Sequence, residues 1–304
     1  MKILVFGAGG QVGWEVCRAA WPMSFEVLAL GHNAGDITKP AEVSALIARE
    51  RADLVINLAA YTAVDRAENE PEAAWAVNCA GAAHLAAACG ETTTALIHLS
   101  TDYVFDGFKA VPYQEDDEVS PLCVYGRSKE AGERAVRAGT ARHIILRTAW
   151  VYGAQGTNFV KTILRLGAER PALRVVADQQ GCPTAAADIA SALVVIAREI
   201  KRGNAKWGTF HFAGAGTTSW HGFAEEIIGL ATRLGAWPIG SRPQVEPITT
   251  DQYPTPARRP ANSVLDCRKI SESFGISAPQ WRASLIPVLR ELLDQNRGGD
   301  KQIK

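Results

Sequence analysis

Hydrophobic positions along this chain fall in short unbroken runs, separated by longer Ala-rich stretches with helical spacing. KILVF at 2–6, FEVLAL at 25–30, DLVINL at 53–58, TALIHL at 94–99 and HIILR at 143–147 predict strands. These runs are continuously apolar rather than alternating, as parallel strands covered on both faces require. Between them, 11–20, 40–50, 66–89 and 127–138 predict helices, the third broken near Pro71 or Asn78. Strand and helix in turn, with short connections, predict an α/β fold built on a Rossmann-like doubly wound parallel sheet.

Beyond about residue 152 the alternation loosens. A helix at 187–199, a strand at 208–213 and a final helix at 281–293 carrying Pro287 remain legible, while 235–262 is Pro-rich and irregular. The expected organisation is a dinucleotide-binding domain over 1–152 plus parts of 185–215, and a smaller, discontinuous C-terminal substrate-binding lobe over 153–184 and 216–296. Residues 297–304 read as a flexible polar tail.

Composition excludes several classes of partner. Basic and acidic residues balance at 32 each among 304 residues and are scattered, so nothing draws the chain toward nucleic acid or an anionic membrane. No apolar run reaches the roughly 20 residues of a membrane helix. The first strand follows Met1 without a signal-like pattern, and the six cysteines show neither C-x-x-C nor zinc-finger spacing. A cytoplasmic, reducing setting is expected.

Candidate chemistry begins at GAGGQVG, residues 7–13, between the first strand and the first helix. The spacing is G-x-x-G-x-x-G on Gly7, Gly10 and Gly13. Gly7 permits the tight turn, Gly10 lets backbone approach a pyrophosphate, and Gly13 lets the helix pack against the sheet. The helix N-terminus then faces the phosphates. The second strand ends in LALGHN, with neither the carboxylate that holds a ribose 2′-OH nor an Arg for a 2′-phosphate, so NADPH and NADH both fit. Asp36 comes 23 residues after Gly13 and is either an adenine-end contact or, like Thr38, a helix cap.

Further on, VYGRSK places Tyr125 four residues before Lys129, on one helical face. A Tyr-x-x-x-Lys match arises by chance in about one comparable sequence in five, so the spacing alone decides nothing. Its company decides more. Thr101, in HLSTDYVFDG, sits 24 residues before Tyr125 at the carboxyl end of a central strand, where open α/β sheets bind ligands. A phenol is a poor acid at neutral pH, and a neighbouring ammonium favours the phenolate. Lys129 can also bond the nicotinamide ribose, while Thr101 orients the substrate carbonyl and the phenol proton.

These residues resemble the extended short-chain dehydrogenase/reductases, and within them the dTDP-4-dehydrorhamnose reductase family. The resemblance spans nearly the whole chain. It rests on GAGGQVG (7–13), NLAAYTAVDRAE (57–68), STDYVFDG (100–107), YGRSK (125–129), RTAWVYG (147–153), DQQGCPT (178–184), TSWHGFAEEI (218–227) and PTPARRPANSVLD (254–266). The last four are the more specific, because epimerases and dehydratases share the glycine loop and the Tyr–Lys pair.

The resemblance implies NAD(P)H-dependent reduction of the C4 ketone of dTDP-4-dehydro-L-rhamnose, the last step in making a sugar donor for cell-surface polysaccharide. It implies Tyr125 as proton donor, tuned by Lys129 and aided by Thr101, with Asp102 and Trp150 on the sugar nucleotide and Arg259 pairing with the diphosphate. Gln11, Val12, Asp36, Ile37, Ala60, Tyr61 and Thr62 would line the cofactor. Some relatives have been linked to a magnesium ion (Mg2+) bridging the subunits of a homodimer; Glu15 stands at one such position, and Ala187 where a second acid is expected. The alternatives are a nucleotide-sugar epimerase or dehydratase, disfavoured by Tyr103 after Asp102, and a non-catalytic nucleotide-sensing regulatory subunit, which would lack the Tyr or the Lys.

Overall fold

The computed structural model describes residues 1–299 other than Ile239. Among them the largest sheet has six strands: β1 (Lys2–Phe6), β2 (Glu26–Leu30), β3 (Leu54–Asn57), β4 (Ala95–Thr101), β5 (His143–Thr148) and β6 (Gly208–His211). Their order is β6-β5-β4-β3-β1-β2, and every neighbouring pair is parallel. The chain steps outward from β1 to β2 and then crosses to β3 on the other side of β1. That reversal opens a crevice at the carboxyl ends of β1 and β3, the place where such sheets hold ligands.

The unbroken apolar runs are explained by two cores. Successive residues of a strand point to opposite faces. Ile3, Val5, Leu54, Ile56, Ala95, Ile97, Ile144 and Leu146 enter one cluster, with the helices Gln11–Arg18 and Ala186–Arg202. Leu4, Phe6, Val55, Leu96 and Ile145 enter the opposite one, with the helices Pro40–Glu50, Ala82–Thr92 and Val124–Gly139.

Expected helix 66–89 resolves into Val64–Ala67, Pro71–Trp75, a π-helical turn Ala76–Gly81, and Ala82–Thr92. Both suspected breaks carry structure, since Pro71 opens one piece and Asn78 lies inside the π turn. The helix expected from 127 begins at Val124 instead. Its cap is Cys123, whose Sγ accepts the Gly126 N–H at 3.4 Å, and cysteine is not a residue that sequence patterns mark as a cap.

A third core lies outside the sheet. It gathers Val160, Ile163, Leu173, Phe223, Ile227, Trp281, Leu285 and Leu289 from helices Phe159–Glu169, Trp220–Arg233 and Trp281–Gly299 and the strand Ala172–Val176, which pairs with Gln244–Ile248. We read it as the smaller lobe. The last helix runs to Gly299, into the segment expected to be a tail, with Pro287 inside it; residues 300–304 lie outside the described residues. Among the described residues, no helix is long and apolar enough to cross a membrane.

Candidate active site

The glycine loop leaves β1 with Gly7 at φ +79°, and a Cβ there would lie 2.5 Å from the Ala59 amide nitrogen. The two lips of the crevice are therefore in backbone contact at a position only glycine occupies without strain. A Cβ on Gly13 would lie 2.2 Å from the Gly7 carbonyl oxygen, so the helix approaches the loop closely for the same reason. Gly10 caps Gln11–Arg18 with no side-chain hydrogen bond, leaving N–H groups at the helix start for an anion. The side chains of Val12 and Ile37 are buried in the two sheet cores, whereas Gln11, Ala60 and Tyr61 are half-buried and Thr62 is exposed. Asp36 turns its carboxylate onto Thr38, accepting from the backbone N–H at 3.0 Å and the hydroxyl at 2.7 Å. These local bonds hold its carboxyl below the usual range.

Gln11 also reaches the lobe. Its Oε1 accepts from Asn158 Nδ2 at 2.8 Å, and its Nε2 donates to the Thr157 carbonyl at 3.4 Å.

Thr101 ends β4, and Tyr125 and Lys129 lie one turn apart in Val124–Gly139, all three buried. Burial pushes the Tyr125 phenol up, against a hydrogen bond with Thr101 that pulls it down. Burial also brings the Lys129 ammonium down to about 8, with Glu133 acting the other way. Lys129 Nζ donates to the Leu99 carbonyl at 2.7 Å. Thr101 Oγ1 donates to Asp102 Oδ1 at 3.0 Å and accepts the Tyr103 N–H at 3.2 Å. Burial drives the Asp102 carboxyl up to about 6, with the Ser263 and Thr101 hydroxyls acting the other way, and its buried Oδ2 accepts no hydrogen bond of good geometry.

Supports that spacing rules do not mark surround this trio. Asn78 in the π turn accepts the Tyr61 N–H at 2.9 Å and donates to Ser128 Oγ at 3.0 Å, joining the β3 loop to the catalytic helix. Glu68 Oε1 accepts the Val124 N–H at 2.7 Å. Glu133 is fully buried and held by Ser100, Arg147 and Arg137 at 2.6–2.9 Å. Asn57 and His98 contact each other below Lys129. Their one sequence signal is a polar residue inside or ending an apolar run.

An aromatic wall begins two residues beyond Thr148, the register partner of Thr101. Trp150 follows β5 at φ +48°, its indole against Gly181, where a Cβ would lie 2.3 Å from Cε2. It stacks on Trp220 at 3.5 Å and 11°. Gln180–Gly181 pairs with Thr218–Ser219, and Gln180 bridges to Asn262. Thus RTAWVYG, DQQGCPT, TSWHGFAEEI and PTPARRPANSVLD meet at one place although they lie far apart in the chain.

The family model described as RmlD substrate binding domain matches residues 1–294. A dTDP-4-dehydrorhamnose reductase of Sinorhizobium fredii is 45% identical over 295 residues, covering 96% of this chain and 98% of the relative. The chain belongs to the dTDP-4-dehydrorhamnose reductase family. Crystal structures of members agree with the fold. That of the Clostridium acetobutylicum reductase superposes with TM-score 0.89 at 38% identity, covering 96% of this chain and 100% of that one. The Bacillus anthracis reductase, solved in complex with NADP, gives 0.87 at 33%, covering 95% and 99%.

Within this dTDP-4-dehydrorhamnose reductase fold, two expected contacts have protein partners. Arg259 donates to Asp65 Oδ2 at 2.7 Å, and Asp65 also accepts the Ala257 N–H. Glu15 is half-buried beside Arg18 and Glu291, and burial pushes its carboxyl up. Among the described residues, no cluster of three or more His, Cys, Asp or Glu is gathered as a metal site requires.

Proposed function

We propose that this protein reduces the C4 ketone of dTDP-4-dehydro-L-rhamnose to dTDP-L-rhamnose in the cytoplasm, using a nicotinamide cofactor. The observation that carries the proposal is the juxtaposition of Thr101, Tyr125 and Lys129 with the aromatic wall made by the motifs particular to this family.

The glycine cradle fits a dinucleotide: Gly7, Gly10 and Gly13 keep side chains out of the crevice, and an uncapped helix start faces it. When bound, the nicotinamide supplies the hydride that reaches sugar C4. Tyr125 supplies the proton. Its phenol is held protonated by burial, so the proton is in place for the alkoxide that forms at O4 as hydride arrives. Thr101 hydrogen-bonds the phenol and steadies the charge left on it. Lys129 adds a positive charge below about pH 8 and holds the cofactor ribose. The bare Oδ2 of Asp102 accepts a sugar hydroxyl, which relieves an unsatisfied buried acceptor. Trp150 offers a flat face to the sugar's C–H surface. Arg259 exchanges Asp65 for the diphosphate, whose oxygens suit its planar fork equally well.

NADPH and NADH oxidation followed in parallel with dTDP-4-dehydrorhamnose, with and without magnesium, tests this reading. Turnover with one cofactor at least is expected; oxidation of neither removes the proposal. Light scattering under the same conditions tests whether the protein forms a homodimer and whether Mg2+ at Glu15 contributes. Tyr125→Phe is expected to lower kcat by about 10²–10⁴-fold while cofactor affinity stays nearly unchanged. Turnover at the parent rate would remove Tyr125 as the donor.

A further inference from the structure

Two polar side chains interrupt the apolar strands beneath the catalytic helix: Asn57 ends β3, and His98 lies within β4. They are register partners, each 1% exposed. Strand alternation puts both on the face shared by Val55 and Leu96, the face that Val124–Gly139 covers. Asn57 Nδ2 lies 2.9 Å from His98 Nδ1, and His98 Nε2 lies 3.5 Å from Lys129 Nζ.

The hydrogens of this chain follow from its far end. The Ala59 backbone N–H reaches Asn57 Oδ1 at 3.1 Å. A backbone N–H only donates, so the amide oxygen is fixed there and the amide NH2 faces His98. An NH2 group has no lone pair to offer, so His98 Nδ1 must accept. Burial, together with the Lys129 charge, holds the His98 ring far below its ordinary pKa, so it is neutral and its one proton sits on Nε2. That N–H is aimed at Lys129.

We propose that Asn57 and His98 are positioning residues for Lys129: the Asn57 amide locks His98 as the Nε2–H tautomer, and this N–H opposes the lysine's ammonium and turns its protons away from the His98 ring. The inference rests on the reading of Lys129 as part of the proton-donating group. Lys129 is left with one strand acceptor, the Leu99 carbonyl, and Tyr125 lies one turn back on the same helix. An imidazole N–H pairs well with the lone pair of a neutral amine and poorly with an ammonium, so the group is poised between two charge states.

The other groups around Lys129 leave room for this control. Glu133, one turn along the same helix, favours the ammonium. Its carboxylate is shared with Arg147 from β5, with Arg137 and with the Ser100 hydroxyl, which blunts its pull. Tyr125 is protonated and adds no charge. From β4 come His98 and the Leu99 carbonyl, and β3 acts through Asn57.

Two measurements test the proposal. In the unmodified protein labelled with ¹⁵N-histidine, His98, assigned by its loss in His98→Phe, is expected to show a bare Nδ1 and a protonated Nε2; the opposite tautomer overturns the idea. In Asn57→Asp, a carboxylate oxygen still accepts the Ala59 N–H and the other accepts a proton from Nδ1, which turns the Nε2 lone pair toward Lys129. The alkaline limb of kcat/KM is then expected to move up by about 1 pH unit. In the His98→Phe background the same substitution is expected to move it far less. An equal shift there means the new carboxylate acts through space, and no shift in Asn57→Asp means no relay; either result overturns the proposal. A merely structural role lowers stability and leaves the profile in place. Should Asn57→Asp not fold, the tautomer measurement still decides. Failure of the catalytic reading itself shows separately, as an unchanged profile in Lys129→Ala.

Discussion

A general acid must hold its proton until the reaction needs it, and a buried phenol does so over the whole neutral range. Tyr125 has that property from burial, while Lys129, brought down to about 8, supplies a charge that the solvent can remove. Below that value the ammonium is present and supports the phenolate left after transfer; as pH rises through it the support is lost. The kcat/KM profile is therefore expected to fall above about pH 8, and Lys129→Ala to remove that limb, slow the chemistry and weaken cofactor binding. Steady-state kinetics from pH 6 to 10 check this (range chosen to bracket the lysine, roughly two units each way). Trp150 is the other telling residue at this scale. A non-glycine residue in the left-handed region costs about 1–2 kcal/mol, which its stacking on Trp220 offsets. Trp150→Ala is expected to raise the substrate KM roughly tenfold with a smaller change in kcat, a loss of about 1.4 kcal/mol in binding. An unchanged KM would return Trp150 to a packing role.

Between residues and the molecule stand the elements, and here the sequence was legible unevenly. All five runs with an apolar strand pattern are strands, because burial on both faces writes itself into the inner strands, while β2 at the sheet edge is only partly covered. Thr101, Tyr125 and Lys129 were legible because a strand end and a helical repeat carry them. Asn57 and His98 were visible only as blemishes in apolar runs, since their meaning lies in a cross-strand register that no local pattern records. Likewise Asp65 is 194 residues from Arg259, a distance across which pairing leaves no periodic trace. Helices Phe159–Glu169 and Trp220–Arg233 are not among the expected elements, although the Asn158 and Ser219 side chains cap them. The glycine loop is the element most exposed to a single methyl group. Gly13→Ala puts a Cβ against backbone at 2.2 Å, where no rotamer change relieves it. A loss of about 1–3 kcal/mol in stability is expected, together with weakened cofactor binding, read by thermal denaturation and by cofactor titration.

At the scale of the molecule, cofactor loop, catalytic helix and lobe are tied by few polar bonds. Gln11 reaches Asn158 and Thr157, Glu68 holds the start of the catalytic helix, and the four family-specific motifs converge around Trp150 and Gln180. Asp102 sits where these parts meet, with one carboxylate oxygen bare in the interior. Burial pushes its carboxyl up to about 6, above the 3.8 ordinary for an aspartate. The stability it contributes is thus fully present below the unfolded pKa and is lost as pH rises through about 6, a loss of order 3 kcal/mol at neutral pH. Asp102→Asn is expected to flatten the part of the stability curve between about pH 4 and 6 and to raise Tm at pH 7.5, while the substrate KM rises. Denaturation at both pH values, beside kinetics, checks each half. The wild-type enzyme would then be a molecule held slightly short of its best folding at working pH, and its substrate would act as a missing piece of its own interior: the sugar hydroxyl that satisfies Asp102 also tightens the fold, so a thermal shift on adding dTDP-rhamnose reports the same bond that selects it.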